Sequence, residues 1–383
     1  MNIETLYGIP RMGHAPLDDV NSVRGLHALI QSFYKPHFKV AEIGSFEGVS
    51  TMLFSQCVDT VYSIDCYDYK VPETGRIPSH DQLFVDAEKV FIARTKDIKN
   101  IIKIRKSSVE ASKDFADKSL DAVYIDAEHD EDSVRSDIQT WRPKIKFGGI
   151  LSGHDYYHPH IQKILNEEGF TNITVAPDSS WAVQIPTVTL VAVACTKVPE
   201  TIEAIKKSQA LEFNRTILFT HEDVQEEGIE VIKIDQLDYK GYNDFVAMKL
   251  WSFIGTDFVL LVQNDGYVTN PSLWSDDFFR YDYIGAPWPP DTQYTASGKE
   301  VRVGNGGFSW RSRKLLRAPT ILGLEFTDKH TGFWHEDGFL CVHYRDELEK
   351  SGIKFAPVEV AAQFSTELKV PETRESFGGH KYI

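Results

Sequence analysis

Val40-Ala41-Glu42-Ile43-Gly44-Ser45-Phe46-Glu47-Gly48-Val49-Ser50-Thr51 decides how the first half of this chain is read. An apolar strand over 39–43 carries one acid, Glu42, and ends at Gly44. A tight turn follows, and a helix opens near Gly48. Glycine at those two points lets the backbone take positive φ and approach a ligand closely. Asp65 closes the next strand, 60–64, where a carboxylate can accept both hydroxyl protons of a ribose. The pattern Gly44-x-x-x-Gly48 differs from the G-x-G-x-x-G of dinucleotide sites. An acid beside the turn repels a pyrophosphate and suits a cationic ligand end. That favours S-adenosylmethionine (SAM), with its sulfonium and amino group, over a nicotinamide dinucleotide.

Strands and helices alternate outward from this stretch. The spacing predicts strands over 39–43, 60–64, 101–105, 120–126 and 149–152. Helices are predicted over 48–56, 81–95, 132–145 and 158–168, with a closing hairpin over 173–176 and 181–185. Such alternation predicts an α/β domain built on a parallel, Rossmann-like sheet. Its carboxyl strand ends gather at one crevice, where open α/β sheets bind ligands. Ser108 follows the third strand, where an adenine ring can be gripped. The fourth strand ends Asp126-Ala127-Glu128-His129, and the fifth ends Gly153-His154-Asp155.

This ordered set resembles the class I SAM-dependent methyltransferases, and more closely their O-methyltransferase branch, over about residues 37–185. The resemblance implies a cofactor pocket of Glu42, Gly44, Ser45, Gly48, Asp65, Ser108 and Asp126. It also implies a divalent metal, Mg²⁺ or Mn²⁺, on Asp126 and Asp155 with His154 beside them, since a metal lowers a hydroxyl's pKa and orients it. His129 is the candidate general base and Asp126 its catalytic neighbour. His158 and His160 read as loop residues.

A second alternating series begins at 187–194, an unbroken apolar strand expected to be buried on both faces. A helix over 199–211, strands over 215–220 and 230–234, a helix over 242–254 and a strand over 257–263 follow. The boundary falls at 185/186, giving domains 1–185 and 186–383. Three clusters stand out in the second domain. Gln263-Asn264-Asp265-Gly266 ends a buried strand with one carboxylate. Val303-Gly304-Asn305-Gly306-Gly307 opens the backbone beside aromatics suited to sugar faces, and Arg311 can meet a diphosphate through its fork. Phe333-Trp334-His335-Glu336-Asp337-Gly338 offers paired carboxylates for base catalysis. Phe377-Gly378-Gly379-His380 nearly ends the chain.

In order, these clusters resemble an uncharacterised family of glycosyltransferase-like domains with a GT-A type, nucleotide-diphospho-sugar-binding α/β fold. The resemblance implies a donor site of Thr196, Gln263, Asp265, Gly306, Gly307 and Arg311. It implies Asp337 or Glu336 as base, and a metal on Asp265 and His380. The expected protein is a bifunctional transferase: SAM-dependent O-methylation joined to nucleotide-sugar-dependent glycosyl transfer on a glycan or glycosylated metabolite, with surface polysaccharide synthesis as the setting. Two alternatives stay open. The C-terminal domain can be a non-catalytic carbohydrate-binding module, or the N-terminal half an NAD-linked oxidoreductase.

Composition is that of an ordinary folded globular protein. The chain has 383 residues, 42% apolar and 25% charged, enough for large cores. Net charge is −15, against a general nucleic-acid binder. It is spread evenly, with 20 basic and 27 acidic residues in 1–185 and 21 and 29 in 186–383. Cys57, Cys66, Cys195 and Cys341 form no C-x-x-C pair, so no disulfide framework is indicated. Neither a signal peptide nor a membrane span is expected, and the expected location is the cytoplasm. The expected partners are small-molecule donors and a glycan acceptor, with a homo-oligomer open.

Overall fold

A computed structural model describes residues 2–11, 17–67, 78–290, 294–296, 298–328, 334–367, 370–372 and 375–381, with 78–85 as backbone only. The chain divides into two compact units, Met1–Ile185 and Pro186–Ile383.

The first unit is a seven-stranded sheet of order β3-β2-β1-β4-β5-β7-β6. Its strands are β1 (Lys39–Ile43), β2 (Thr60–Ile64), β3 (Ile101–Ile104), β4 (Leu120–Ile125), β5 (Ile145–Gly153), β6 (Thr174–Val175) and β7 (Trp181–Gln184). The first five run parallel; β7 is antiparallel to both β5 and β6. Helices α1 (Ile3–Leu6), α2 (Arg24–Phe33), α3 (Val49–Cys57), α4 (Pro78–Thr95), α5 (Ser108–Ser112), α6 (Glu131–Trp141) and α7 (Pro159–Glu167) complete it. Strand β1 is buried from Val40 to Ile43, as a central strand covered on both faces must be. One core joins Leu26, Leu29 and Ile30 of α2, Met52 and Phe54 of α3, and Val40, Val61, Ala122 and Ile150 of the sheet.

The order reverses between β1 and β4, so the crevice at their carboxyl ends is the expected ligand site. Three helices of this unit, α1, α2 and α5, are absent from the sequence reading. The buried face of α2 repeats at Leu26, Leu29 and Ile30, the i, i+3, i+4 stripe of an amphipathic helix. Helix α5 is one short turn, opened by a Ser107/Glu110 capping box.

The second unit carries a six-stranded sheet of order β10-β9-β8-β11-β16-β13. Strands β8 (Val188–Val193), β9 (Arg215–Thr220), β10 (Glu230–Lys233) and β11 (Phe258–Val262) are parallel. Strand β16 (Ser309–Ser312) lies antiparallel between β11 and β13 (Tyr283–Ile284). All six residues of β8 are buried. Helices α8 (Val198–Ser208), α9 (Tyr239–Asp244), α10 (Arg313–Ile321), α11 (Glu336–Gly338), α12 (Arg345–Lys350) and α13 (Val358–Phe364) surround the sheet. The expected helix over 242–254 is three pieces: α9, a π-helical turn at Phe245–Lys249 and a 3₁₀ turn at Leu250–Phe253.

Near the chain's end, β18 (Gly378–His380) is held in a small sheet between β12 (Gly266–Val268) and β17 (Ser365–Thr366). A ribbon of β14 (Thr295–Ala296) and β15 (Lys299–Glu300) stands apart. Two of the aromatics beside the glycine loop are core, while Trp288, packed on Gly304, is half-buried. Phe308 and Trp310 are fully buried; Phe308 stacks on Phe364 and Trp310 on Phe258. Among the described residues, no helix is long and apolar enough to cross a membrane.

Candidate functional site

In the first unit the β1–α3 turn is held from below by Asp65. Its Oδ2 accepts the backbone N–H groups of Ser45 (3.1 Å) and Phe46 (2.9 Å), and its Oδ1 accepts that of Tyr67 (2.8 Å). Asp65 therefore shapes the loop as well as standing at the expected ribose position. Gly44 has φ +87°, and a Cβ there would lie 2.1 Å from the Asp126 carbonyl oxygen. The close approach that requires glycine is thus with the chain leaving β4. Gly48, at φ +80°, precedes α3. Ser45 is buried, its hydroxyl bonded to Ser63 at 2.6 Å. Ser108 is turned inward: its hydroxyl donates to Asp137 and accepts from Trp141 Nε1 at 2.8 Å, which leaves its side chain no part in gripping an adenine.

Glu42 is fully buried. Thr51 donates to its Oε2, while Oε1 has no hydrogen-bond partner among the described residues. Burial pushes the Glu42 carboxyl up to about 7, with the Asp126 charge adding to the shift. A raised carboxyl pKa contributes stability that is present below the unfolded value and is lost as pH rises through the folded one. The ligand-free protein should therefore lose roughly 3 kcal/mol between about pH 4.5 and 7. Glu42→Gln should flatten that loss. Hydrogen exchange of the β1–α3 segment across this pH range measures it; an unchanged slope in Glu42→Gln would count against the assignment.

At the ends of β4 and β5, Asp126, His154 and Asp155 each bring one ligand atom within 4.8 Å of the others. His154 Nε2 donates to the Asp178 carbonyl at 2.6 Å, so Nδ1 faces the carboxylates, 3.1 Å from Asp155 and 3.7 Å from Asp126. A second nitrogen tied to a backbone carbonyl is how metal-binding histidines are oriented. Two hard oxygens and one imidazole suit Mg²⁺ or Mn²⁺. The donor set therefore fits a divalent cation.

His129 Nδ1 lies 3.0 Å from Asp155 Oδ2. That hydrogen bond raises the imidazole to about 9. The pairing with Asp155 favours the protonated ring, so His129 is suited to act as a base only when that hydrogen bond is released. Burial works against the Asp155 carboxylate, yet His129 and His154 hold it well below the usual range. Asp155 itself has φ +60°. His158 stands 3.9 Å from Asp155, and His160 bonds the His129 carbonyl at 2.7 Å.

Sequence reasoning missed Arg11. Its Nη2 donates to the Tyr124 hydroxyl (3.0 Å) and Ser180 Oγ (3.3 Å), and lies 3.4 Å from Asp178 Oδ2. Asp178 is fully buried and also accepts the Leu26 N–H near the start of α2. Tyr124, a buried tyrosine whose hydroxyl needs a partner, was the available signal.

The second unit brings most of its expected residues together. Asp337 Oδ2 accepts the Gly306 N–H at 3.2 Å. A Cβ on Gly306 would lie 1.7 Å from Glu336 Oε1, and one on Gly307 would lie 2.1 Å from His380 Nε2. Protein side chains thus fill the space at these two glycines. His380 is buried between two acids, with Nε2 3.4 Å from Asp265 Oδ1 and Nδ1 3.3 Å from Glu367 Oε1. Glu367 was not foreseen. Asp265 is half-buried beside a cavity of about 370 Å³ that Lys207, Tyr267 and Lys381 also line. Thr196 is exposed just beyond β8.

Three expected contacts turn inward instead. Arg311 is fully buried, donating to Glu336 at 2.5 Å and Ser309 at 3.0 Å, so it cannot reach a diphosphate. Glu336 is committed to that pair, which leaves Asp337 as the free candidate base. Burial, then the Glu336 charge, raises the Asp337 carboxyl. Gln263 donates to the Tyr242 hydroxyl at 2.6 Å. Phe333 lies outside the described residues.

Residues 41–156 match the family model described as a methyltransferase domain. The N-terminal part of the chain carries a methyltransferase domain. Residues 229–380 match a family described as protein of unknown function, DUF5672. The search of curated proteins found no match. Among solved structures, the chain is similar to an rRNA methylase from Streptococcus thermophilus, at 13% identity over 44% of this chain and 97% of that one, TM-score 0.32. It is similar to a SAM-dependent O-methyltransferase from Thermotoga maritima, at 14% identity over 39% of this chain and 50% of that one, TM-score 0.29. Fibrillarin from Aeropyrum pernix, with natively bound SAM, matches at 14% identity over 42% of this chain and 72% of that one, TM-score 0.29. The crevice described above belongs to the methyltransferase domain, since the matched stretch contains Glu42, Asp65, Asp126, His154 and Asp155.

Proposed function

We propose that the methyltransferase domain uses SAM to methylate a hydroxyl group, and that the C-terminal unit transfers a sugar from a nucleotide-diphospho-sugar. Both are proposed to act on one glycan or glycosylated metabolite. The observation that carries the first half is the buried Glu42 carboxylate at the sheet's switch point, whose Oε1 has no hydrogen-bond partner among the described residues. A cationic ammonium end can donate to that carboxylate oxygen, and a pyrophosphate would be repelled by it. SAM supplies an electrophilic methyl group when bound. Asp65 shapes the turn beneath it and remains the candidate for the ribose hydroxyls. Asp126, His154 and Asp155 are the residues that would hold a Mg²⁺ or Mn²⁺, which would orient and acidify the acceptor hydroxyl. His129 can accept that hydroxyl's proton only when Asp155 is engaged elsewhere, because pairing with Asp155 keeps the ring protonated.

For the C-terminal unit, support comes from the convergence of Asp265, the Gly306–Gly307 backbone, Asp337 and His380. The parallel order also reverses between β8 and β11, which puts Thr196 and Asp265 at a second switch point. A non-catalytic carbohydrate-binding unit is the second reading, favoured by the inward turn of Arg311, Glu336 and Gln263. Asp337→Asn separates the two. A transferase should lose about 10²–10⁴-fold in sugar turnover when its base is removed. Screening UDP-, GDP- and dTDP-sugars against glycan acceptors, with and without Mn²⁺, reads this out. Unchanged glycan affinity with no turnover in either protein would favour the binding unit.

A further inference from the structure

Among the described residues, three buried polar atoms of opposite character have no hydrogen-bond partner near the ends of β1 and β4: Nε and Nη1 of Arg11, and Oε1 of Glu42. Glu42 and Tyr124 are register partners on adjacent parallel strands, so their side chains share one face of the sheet. Arg11 donates to the Tyr124 hydroxyl, which brings the guanidinium to that face. Its side chain is only 9% exposed, anchored by Asp178 and Ser180. Arg11 Nη1 stands 3.8 Å from Asp126 Oδ2, too far for a hydrogen bond. Buried donors and acceptors left unmatched are costly, and each such group calls for an explanation.

A ligand answering both needs carries an anionic acceptor and a cationic donor in one small group. An α-amino acid does so. We propose that Arg11 binds the α-carboxylate of SAM while Glu42 takes its α-ammonium, an assignment that rests on the SAM reading above. It places a binding residue outside the 41–156 methyltransferase match, in the segment that precedes α2. Arg11 then distinguishes SAM from analogues lacking the carboxylate.

The test is calorimetric titration of the full chain with S-adenosylhomocysteine and with its decarboxylated analogue, which keeps the amine. Wild type should prefer S-adenosylhomocysteine. Arg11→Gln should weaken S-adenosylhomocysteine binding by about 10–100-fold, the size expected for hydrogen bonds to a charged group. Binding of the decarboxylated analogue should change less than about threefold, as expected when no charged hydrogen bond is lost. Arg11→Lys, which keeps the charge without the fork, should fall between. Comparing the two ligands on one protein cancels any loss of folded material. Equal losses for both ligands would make Arg11 a structural residue and overturn this inference while leaving the SAM reading intact. If wild type bound neither ligand, the SAM reading itself would fall.

Discussion

Glu336→Ala should destabilise the C-terminal unit by about 3–5 kcal/mol, because it leaves the Arg311 guanidinium charged, buried and unpaired. Arg311 is completely enclosed and Glu336 nearly so, and their side chains meet at 2.5 Å. The same carboxylate occupies the space that any side chain at position 306 would need. Losing it therefore also loosens the glycine loop and the Asp337 contact to Gly306. Replacing both partners together, as Arg311→Met with Glu336→Leu, should restore much of the stability, since no buried charge remains. Hydrogen exchange of the β16 and α11 segments in urea separates the single from the double variant. Equal destabilisation in both would show that packing, not charge, dominates at this pair.

The second large effect concerns Asp126 and Asp155. Asp155→Asn should weaken Mn²⁺ binding by at least about 10–100-fold, as removing a ligand does no less than removing its outer-shell support. The substitution is clean in backbone terms, because Asp155 sits at φ +60° and asparagine tolerates that region. Asp126→Asn should act in the same direction. Electron paramagnetic resonance of Mn²⁺ titrated into the full chain measures both. Undiminished affinity in both variants would reduce the two carboxylates to partners of His129, His154 and Arg11.

The architecture of the first unit was largely readable, because apolar strands punctuated by Gly44, Asp65 and Asp126 leave few alternatives. Helix α2 was missed although its stripe is regular. Its polar flanks and the loop-like residues before it hid the period. The closeness of Asp126, His154 and Asp155 was readable in part: a parallel sheet gathers carboxyl strand ends on one edge, and the pairing of β4 with β5 sets these residues side by side. Arg11 was not readable. No periodicity ties residue 11 to residues 124, 126 and 178, which only the folded sheet brings together. In the second unit, the clusters around Asp265, Gly306 and His380 do meet, but their chemistry was misjudged at Arg311 and Gln263. A motif shows that a residue sits near a loop; which way the side chain turns depends on partners elsewhere, here Glu336 and Tyr242. The glycines carried a similar ambiguity, since an open backbone serves a buried carboxylate as well as a ligand.

The central claim is that the methyltransferase domain binds SAM at the end of β1. Thermal unfolding of the full chain with S-adenosylhomocysteine, compared with NAD, tests it most directly, because a ligand that binds only the folded state raises its stability. At a hundredfold excess over Kd the expected gain is about 2.7 kcal/mol, seen as a higher melting temperature with S-adenosylhomocysteine and none with NAD. No shift with S-adenosylhomocysteine, or an equal shift with NAD, would contradict the account.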